Sequence, residues 1–345
     1  MANQILLKSG SVLNGNPITF EITPSSVTGT PSFHRVLIDV VCGMSGGNYE
    51  TLRMFEPVIS EGRVIETNIS SALQTFRDSW QYEAQTLEFP LVKFRLEVYD
   101  EYMVDGEVKK TEPIYYPSAD TYISTIFGNF NDIERLTSNV SKPVMNLTRK
   151  PTSTPQLASV GEALVYAQPY DKAYDLMTSS DMPQPTSATV NLTKKGQQTV
   201  GGISLYVIPQ SEAKHRMEFR FINSFGVMES VSIPRSFSQS ANIKSNSYIL
   251  SRRESFGKFS RSVVRKESGP EKWQFTTDPL DEEWLRWYLY EFLMAKHVWI
   301  KIGDVWIPCN VNTDDEDIVL IDKTKEDMLT VTFKVELGVN GNPYL

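Results

Sequence analysis

The segment Leu329-Thr-Val-Thr-Phe-Lys-Val-Glu-Leu337 alternates without a break. Leu329, Val331, Phe333, Val335 and Leu337 fall on one side, and Thr330, Thr332, Lys334 and Glu336 on the other. A period of two places one face of an extended chain in a core and leaves the other to solvent, so this is a half-buried β-strand. Working outward, the same period recurs. Val92, Phe94, Leu96 and Val98 alternate with Lys93, Arg95, Glu97 and Tyr99, while Met217, Phe219 and Phe221 alternate with Arg216, Glu218 and Arg220. Val36–Cys42 reads as a further strand, interrupted by Asp39. Asp105-Gly106 supplies the two positive φ angles of a type I′ hairpin, Gly303-Asp304 suits a type II′ hairpin between Val298–Ile302 and Val305–Ile307, and Asn223-Ser224-Phe225-Gly226 turns one strand into the next.

Two stretches carry the helical period instead. Asn68 can cap a helix near 68–82 whose Ile69, Leu73, Phe76 and Trp80 share a face. A second helix is expected near 279–297, with Asp278 as N-cap, Pro279 at the first position and Asp281, Glu282 and Glu283 in the first turn. Its broad apolar face (Trp284, Leu285, Tyr288, Leu289, Phe292, Leu293) suits packing on a sheet, and His297 would close it near the terminal carbonyls. Tyr122–Leu136 is expected to hold one or two short helices. From Ser138 to about Pro185 the chain is rich in Ser, Thr, Pro and Gln, which reads as a linker or extended arm with one strand at Ala163–Ala167. The expected class is mainly β with a few helices (α+β): two sandwich- or barrel-like domains, each flanked by an amphipathic helix. The expected boundaries are 1–112, an irregular arm over 113–188, and 189–345, and 345 residues is a length that suits two domains.

Composition narrows the function. The chain is 40% apolar and 22% charged, enough to fill real cores, and 34 basic against 42 acidic residues give a formal charge of -8. That balance excludes a generally basic protein that coats nucleic acid. Two cysteines, with no CxxC pair, exclude a disulfide framework, and three histidines (His34, His215, His297) argue against a multi-histidine metal site. Cys42 and Cys309 read as buried thiols on strands. Neither a secretory leader nor an apolar run near the roughly 20 residues of a membrane span is expected. Walker A, G-x-G-x-x-G and H-E-x-x-H patterns are missing, so no cofactor is expected and nothing calls for a small-molecule substrate.

Four local features merit weighing. Gly43-Met44-Ser45-Gly46-Gly47 matches G-x-S-x-G, making Ser45 the one nameable nucleophile, but too little sheet precedes it to support a hydrolase elbow and a flexible turn is the plainer reading. Asp314–Asp317 lacks calcium-loop spacing and reads as a solvated hairpin tip. Trp273, Trp284, Trp287, Trp299 and Trp306 suit a core, with Trp299 and Trp306 on the strand face opposite Val298, Ile300 and Ile302. Arg252, Arg253, Lys258, Arg261, Arg265 and Lys266 stand against Glu254 alone, with Phe256 and Phe259 between them. Basic residues interleaved with aromatics can hold nucleic acid. In an acidic chain the same pattern favours a protein partner or another copy, through a two-stranded ribbon with a basic face, so these six residues are the candidate assembly interface.

The final third joins the turn Phe221-Ile-Asn-Ser-Phe-Gly-Val-Met-Glu229, Trp273-Gln-Phe275, the start Leu280-Asp-Glu-Glu283 and the closing strands. In this it resembles virion structural proteins of tailed bacteriophages and prophages, of the tail, baseplate or connector type, over residues 216–345. The resemblance implies β domains flanked by a helix and arranged in rings or tubes, with no chemistry and no functional residue to carry over. The expected function is therefore a non-enzymatic virion protein, made in the host cytoplasm and acting through contacts with its own copies and other virion proteins. The alternative is a carbohydrate- or surface-binding adhesin built from fibronectin-like sandwiches.

Overall fold

The structure, a computed structural model, describes residues 4–27, 31–58, 63–76, 80–129, 143–209, 211, 216–234, 237–250, 261–313 and 329–338. The fold is mainly β with few helices. The chain divides into two compact units, one formed by residues 1–149, 166–188 and 223–228, the other by 150–165, 189–222 and 229–345.

In the first unit, β1 (Gln4–Ser9), β2 (Thr19–Thr23) and β5 (Ile65–Asn68) form one antiparallel sheet in the order β1-β2-β5. A second sheet runs β4 (Glu50–Pro57), β3 (Phe33–Met44), β6 (Val92–Val104), β7 (Glu107–Lys110), with β8 (Ile114–Tyr116) and β9 (Ile123–Thr125) also pairing with β6. The alternation in β6 is realised: Val92, Phe94, Leu96 and Val98 are fully buried and meet Phe20 and Ile22 of β2 and Val36, Ile38 and Val40 of β3 in one core. The hairpin between β6 and β7 turns on Asp105 (φ 55°) and Gly106 (φ 80°), the pair of positive φ angles that type I′ demands. Asp39, the interruption in β3, is buried and satisfied. Arg53, opposite it on β4, donates to both carboxylate oxygens at 2.7 Å.

The helix expected near 68–82 is short, α1 (Ser70–Gln74). Asn68 Oδ1 accepts from Ser70 N and from Ile18 N, both at 3.1 Å, tying the helix start to the residue that leads into β2. The end is local: Thr75 Oγ1 donates back to Ala72 O at 2.7 Å, a side-chain bond that competes with continuing the helix. Ile69, Leu73 and Phe76 still pack together in the core. The short helices expected over Tyr122–Leu136 are corrected where residues are described, because Ile123–Thr125 is β9; the remainder beyond 129 lies outside the described residues.

Further along come β10 (Gln156–Ser159), β11 (Ala163–Ala167), β12 (Ser187–Asn191), β13 (Gly196–Val200) and β14 (Ile203–Ile208). β10 lies parallel to β14, β13 is antiparallel to it, and β11 pairs with β12. The Pro-rich stretch is thus packed as well as extended: Val144, Leu147, Ala158, Leu164, Val165, Tyr170, Tyr174 and Leu176 are all buried. Proline suits such a segment because its missing N–H needs no ladder partner.

The second unit is built on β15 (Arg216–Ile222), β16 (Met228–Pro234), β17 (Phe237–Leu250), β18 (Arg261–Thr276), β19 (Val298–Ile302), β20 (Val305–Asn312) and β21 (Thr332–Leu337). They form one seven-stranded sheet, ordered β16-β15-β19-β20-β21-β18-β17. Gly303 (φ 62°) turns β19 into β20, as the Gly-Asp pair predicted. The core is aromatic, with the Phe219 ring edge-on to Phe275, Phe292 and Phe333 at centroid distances of 5.5, 5.5 and 6.3 Å.

Over that core lies α2 (Glu282–Trp287), continued as a π-helical turn over Tyr288–Leu293. Two sequence expectations are corrected here. The N-cap is Asp281, whose Oδ1 accepts from Trp284 N at 2.9 Å, and not Asp278. Leu280 exchanges both backbone hydrogen bonds with Leu329, at 2.9 and 3.0 Å, so the chain is held extended through 280. Asp278 is instead gripped by Arg216. At the other end the helix is over by Met294. His297 lies in the bend just before β19, its carbonyl accepting from Ile222 N at 3.0 Å and its ring stacked on Trp299.

Candidate assembly interface

β17 and β18 make an antiparallel ribbon whose root and outer part differ. At the root, Phe237–Ala241 pairs with Glu271–Phe275, and β21 pairs with the other side of β18 from Lys272 to Thr276. Trp273 and Phe275 anchor this part in the core, and Lys272 and Glu336 form an ion pair across β18 and β21. The register then shifts between Ala241 and Ile243, opposite Gly269-Pro270. A bulge belongs at that dipeptide, since proline offers no ladder N–H and glycine adds no side chain.

Beyond the bulge, Ile243–Leu250 pairs with Arg261–Ser268. Among the described residues, no third strand joins this outer part. Eight residues at about 3.3 Å each carry it roughly 26 Å past the bulge. Its composition is unlike the rest of the chain. Residues 244–267 hold seven basic and two acidic side chains, a net +5, which leaves −13 for the remainder of a chain at -8.

Of the six candidate interface residues, Arg261, Arg265 and Lys266 lie on the β18 backbone, opposite Leu250, Asn246 and Ser245. Arg252, Arg253 and Lys258 lie outside the described residues, as does the Asp314–Asp317 run.

Ser45 follows β3 and leads through a turn into β4, with Gly46 at φ 83° and Ser45 N donating to Leu91 O at 2.8 Å. A strand-to-strand turn is not the strand-to-helix elbow that exposes a serine nucleophile. His34 lies at the opposite end of β3, roughly 36 Å away at about 3.3 Å per residue, where its ring bonds to Asp100 at 3.1 Å. Trp299 is buried, and the Arg220 guanidinium lies 4.3 Å over the Trp306 ring, so the pair does not present the exposed platform that glycan binding needs. Both cysteines are buried, and burial pushes each thiol up to about 12. Among the described residues no three His, Cys, Asp or Glu side chains are grouped to hold a metal ion, and no helix is long and apolar enough to cross a membrane.

Sequence reasoning missed a buried ionic group in the second unit. Arg216 donates to both oxygens of Asp278 at 3.3 and 2.8 Å and to Ser232 O at 2.6 Å. Lys150, Glu162 and Glu229 are buried with them in the same unit. Lys150 stands in an Arg-Lys-Pro run among polar residues, where nothing in the text signals burial. The chain matches no protein-family model, no curated protein and no solved structure.

Proposed function

We propose that this chain is a non-enzymatic structural protein of a tailed-phage virion, in the tail, baseplate or head–tail connector region, and acts through contacts with copies of itself and with other virion proteins. The observation that carries the reading is the basic β17–β18 ribbon continuing past β21 on an otherwise acidic chain. A two-stranded ribbon is marginal alone in water and gains stability when a neighbour covers it. Its unpaired edges are templates for strand addition. A basic projection and an acidic body on identical chains complement one another head to tail, the arrangement that closes into rings.

The test is the mass of the purified chain in solution, with negative-stain imaging, beside a variant in which Asn-Gly replaces residues 244–267. That pair joins Ile243 to Ser268 through a two-residue turn and leaves the anchored root intact. The intact chain is expected to form a defined oligomer that weakens as salt rises, since charge contacts are screened beyond about 8 Å at physiological ionic strength. The shortened chain is expected to stay monomeric with unchanged thermal unfolding. Assembly of the shortened chain to the same size refutes the ribbon's role, and absence of the chain from purified particles of a phage that encodes it refutes the virion assignment.

A further inference from the structure

β1 pairs with β2 alone, so the other side of its backbone is an open edge among the described residues. Open edges invite strand addition, and charged side chains or proline usually guard them. The edge strand β4 carries Glu50, Arg53 and Glu56 and ends in Pro57, and β7 reads Glu107-Val-Lys-Lys110. β1 lacks that guard. Its one charge, Lys8, sits where the register shifts against β2 and is drawn onto its own sheet by Glu21 at 3.3 Å and by Glu66. Residues 4–7 are left uncharged, with Leu6 55% exposed.

A groove of about 280 Å³ lies against residues 6–10, with Tyr116, Asp175, Leu176 and Met177 as its other wall. That wall is preformed. Leu176 is buried in the core of the first unit, Tyr116 Oη donates to Met177 Sδ at 3.0 Å, and Asp175 Oδ1 accepts from Thr178 N at 2.9 Å. Met177 is nonetheless 67% exposed. The groove is thus apolar in its lining and negative in its charges, since Asp175, Glu21 and Glu66 stand against Lys8 alone.

The outer part of the ribbon has the matching features. β21 pairs with β18 only over Lys272–Thr276, so Arg261–Ser268 has β17 on one side and, among the described residues, an open edge on the other. That edge reads Arg-Ser-Val-Val-Arg-Lys-Glu-Ser, with Val263-Val264 set between Arg261 and the Arg265-Lys266 pair. An apolar centre with basic flanks fits an apolar groove with acidic margins. We propose that this groove is the dock for the ribbon of a second copy, the free edge of β18 adding as a fourth strand beside residues 4–7 of β1. The inference rests on the assembly role proposed above and names the surface that the ribbon meets. Backbone hydrogen bonds supply the attraction common to any added strand, and the side chains along the groove select this one. Ribbon and groove are unlike surfaces, so each copy gives its ribbon to one neighbour and receives that of another.

Two measurements on the full-length chain test the dock. Leu6→Lys and Met177→Lys set a like charge against the ribbon at side chains already more than half exposed, so thermal unfolding should be unchanged. Each should lower the oligomeric fraction several-fold at fixed concentration. For the second, a Leu6→Cys chain is co-expressed with a chain carrying one added cysteine, placed in turn at each position from Arg261 to Ser268, and mildly oxidised. Both native thiols are buried and give little background. Residues opposed across two strands bring their β-carbons about 4.5–5.5 Å apart, and neighbours along a strand point to opposite faces. The interchain disulfide should therefore peak at one position and be weak at the positions on either side of it. Absent or even cross-linking along this strand, or Leu6→Cys cross-linking only to itself, overturns the dock. An oligomer unmoved by Leu6→Lys and Met177→Lys, but lost when residues 244–267 are replaced, also overturns it and leaves the assembly role standing. Assembly of the shortened chain removes the assembly role and this dock together.

Discussion

Phe219→Ala tests the packing that holds the ribbon's root. Phe219 is fully buried in β15, and its ring meets Phe275 of β18, Phe333 of β21 and Phe292 of the π-helical turn. Truncating a buried phenylalanine costs about 3–5 kcal/mol, because apolar transfer is lost and a cavity remains. Three edge-to-face partners and a central strand that cannot collapse inward place this site near the middle, about 4 kcal/mol. With a urea slope of about 2 kcal/mol/M, the unfolding midpoint should fall by roughly 2 M. Tryptophan emission is a suitable probe, since Trp273, Trp284, Trp287, Trp299 and Trp306 all belong to the second unit and only Trp80 to the first. Phe219→Leu keeps most of the volume but loses the ring edges, so its loss should be about 1.5 kcal/mol, or roughly 0.7 M. The exposed Val305 supplies the control, and Val305→Ala should leave the midpoint nearly unmoved. A shift below about 0.5 M for Phe219→Ala, or an equal shift from Val305→Ala, refutes the view that this ring cluster dominates the unit's stability.

Asp278→Ala should destabilise the second unit by about 3 kcal/mol in the same assay, because it strands a guanidinium whose side chain is 7% exposed; a loss within 0.5 kcal/mol counts against that pair. Cys42 and Cys309 should resist a thiol reagent at pH 8 in the native chain and react fully in denaturant, as expected of thiols whose ionisation burial has pushed up to about 12. Rapid native labelling of either would show that its strand opens readily. Arg35 first, then Lys110, holds the Glu101 carboxyl below its ordinary value. The stability this gives is in place above the unfolded-state value of 4.5 and is lost as pH falls through the lower folded-state value. The stability gap between the native chain and Glu101→Gln should therefore shrink below pH 4.5, and a gap that widens on acidification contradicts the pairing.

Strands with one wet face were legible because their signal is local. Val92–Val98 announces itself by period, and the Asp105-Gly106 and Gly303-Asp304 turns by the backbone angles those residues tolerate. Helix limits were not legible, because partners far along the chain decide them. Leu280 is kept extended by Leu329, and Asp278 is occupied by Arg216, so Asp281 becomes the cap. Leu329 and Val331 carry the strand alternation, yet β21 begins only at Thr332, since Leu329 is used in that bridge and the Thr277 hydroxyl accepts from Val331 N. The Pro-rich stretch differs for a related reason: composition speaks to regular structure, not to burial, and Lys150 to Val165 is held by side-chain bonds as well as by the β10–β14 ladder.

The basic stretch announces itself by charge, and the backbone pairing places Arg261, Arg265 and Lys266 of the six candidates on β18. β21 stops at the level of Lys272 while β17 and β18 continue, and the bulge opposite Gly269-Pro270 separates an anchored root from an outer part. The two parts answer to different forces. Trp273 and Phe275 lock the root into an aromatic core, so its stability is hydrophobic and insensitive to salt. Residues 244–267 carry seven basic side chains against two acidic, so under the proposed function they hold a neighbour by charge, which salt screens. Raising salt should therefore release neighbours without unfolding the unit, whereas Phe219→Ala should loosen the root at any salt. A ribbon whose assembly and folding responded alike to salt would mean that charge, rather than the ring cluster, holds it to the sheet.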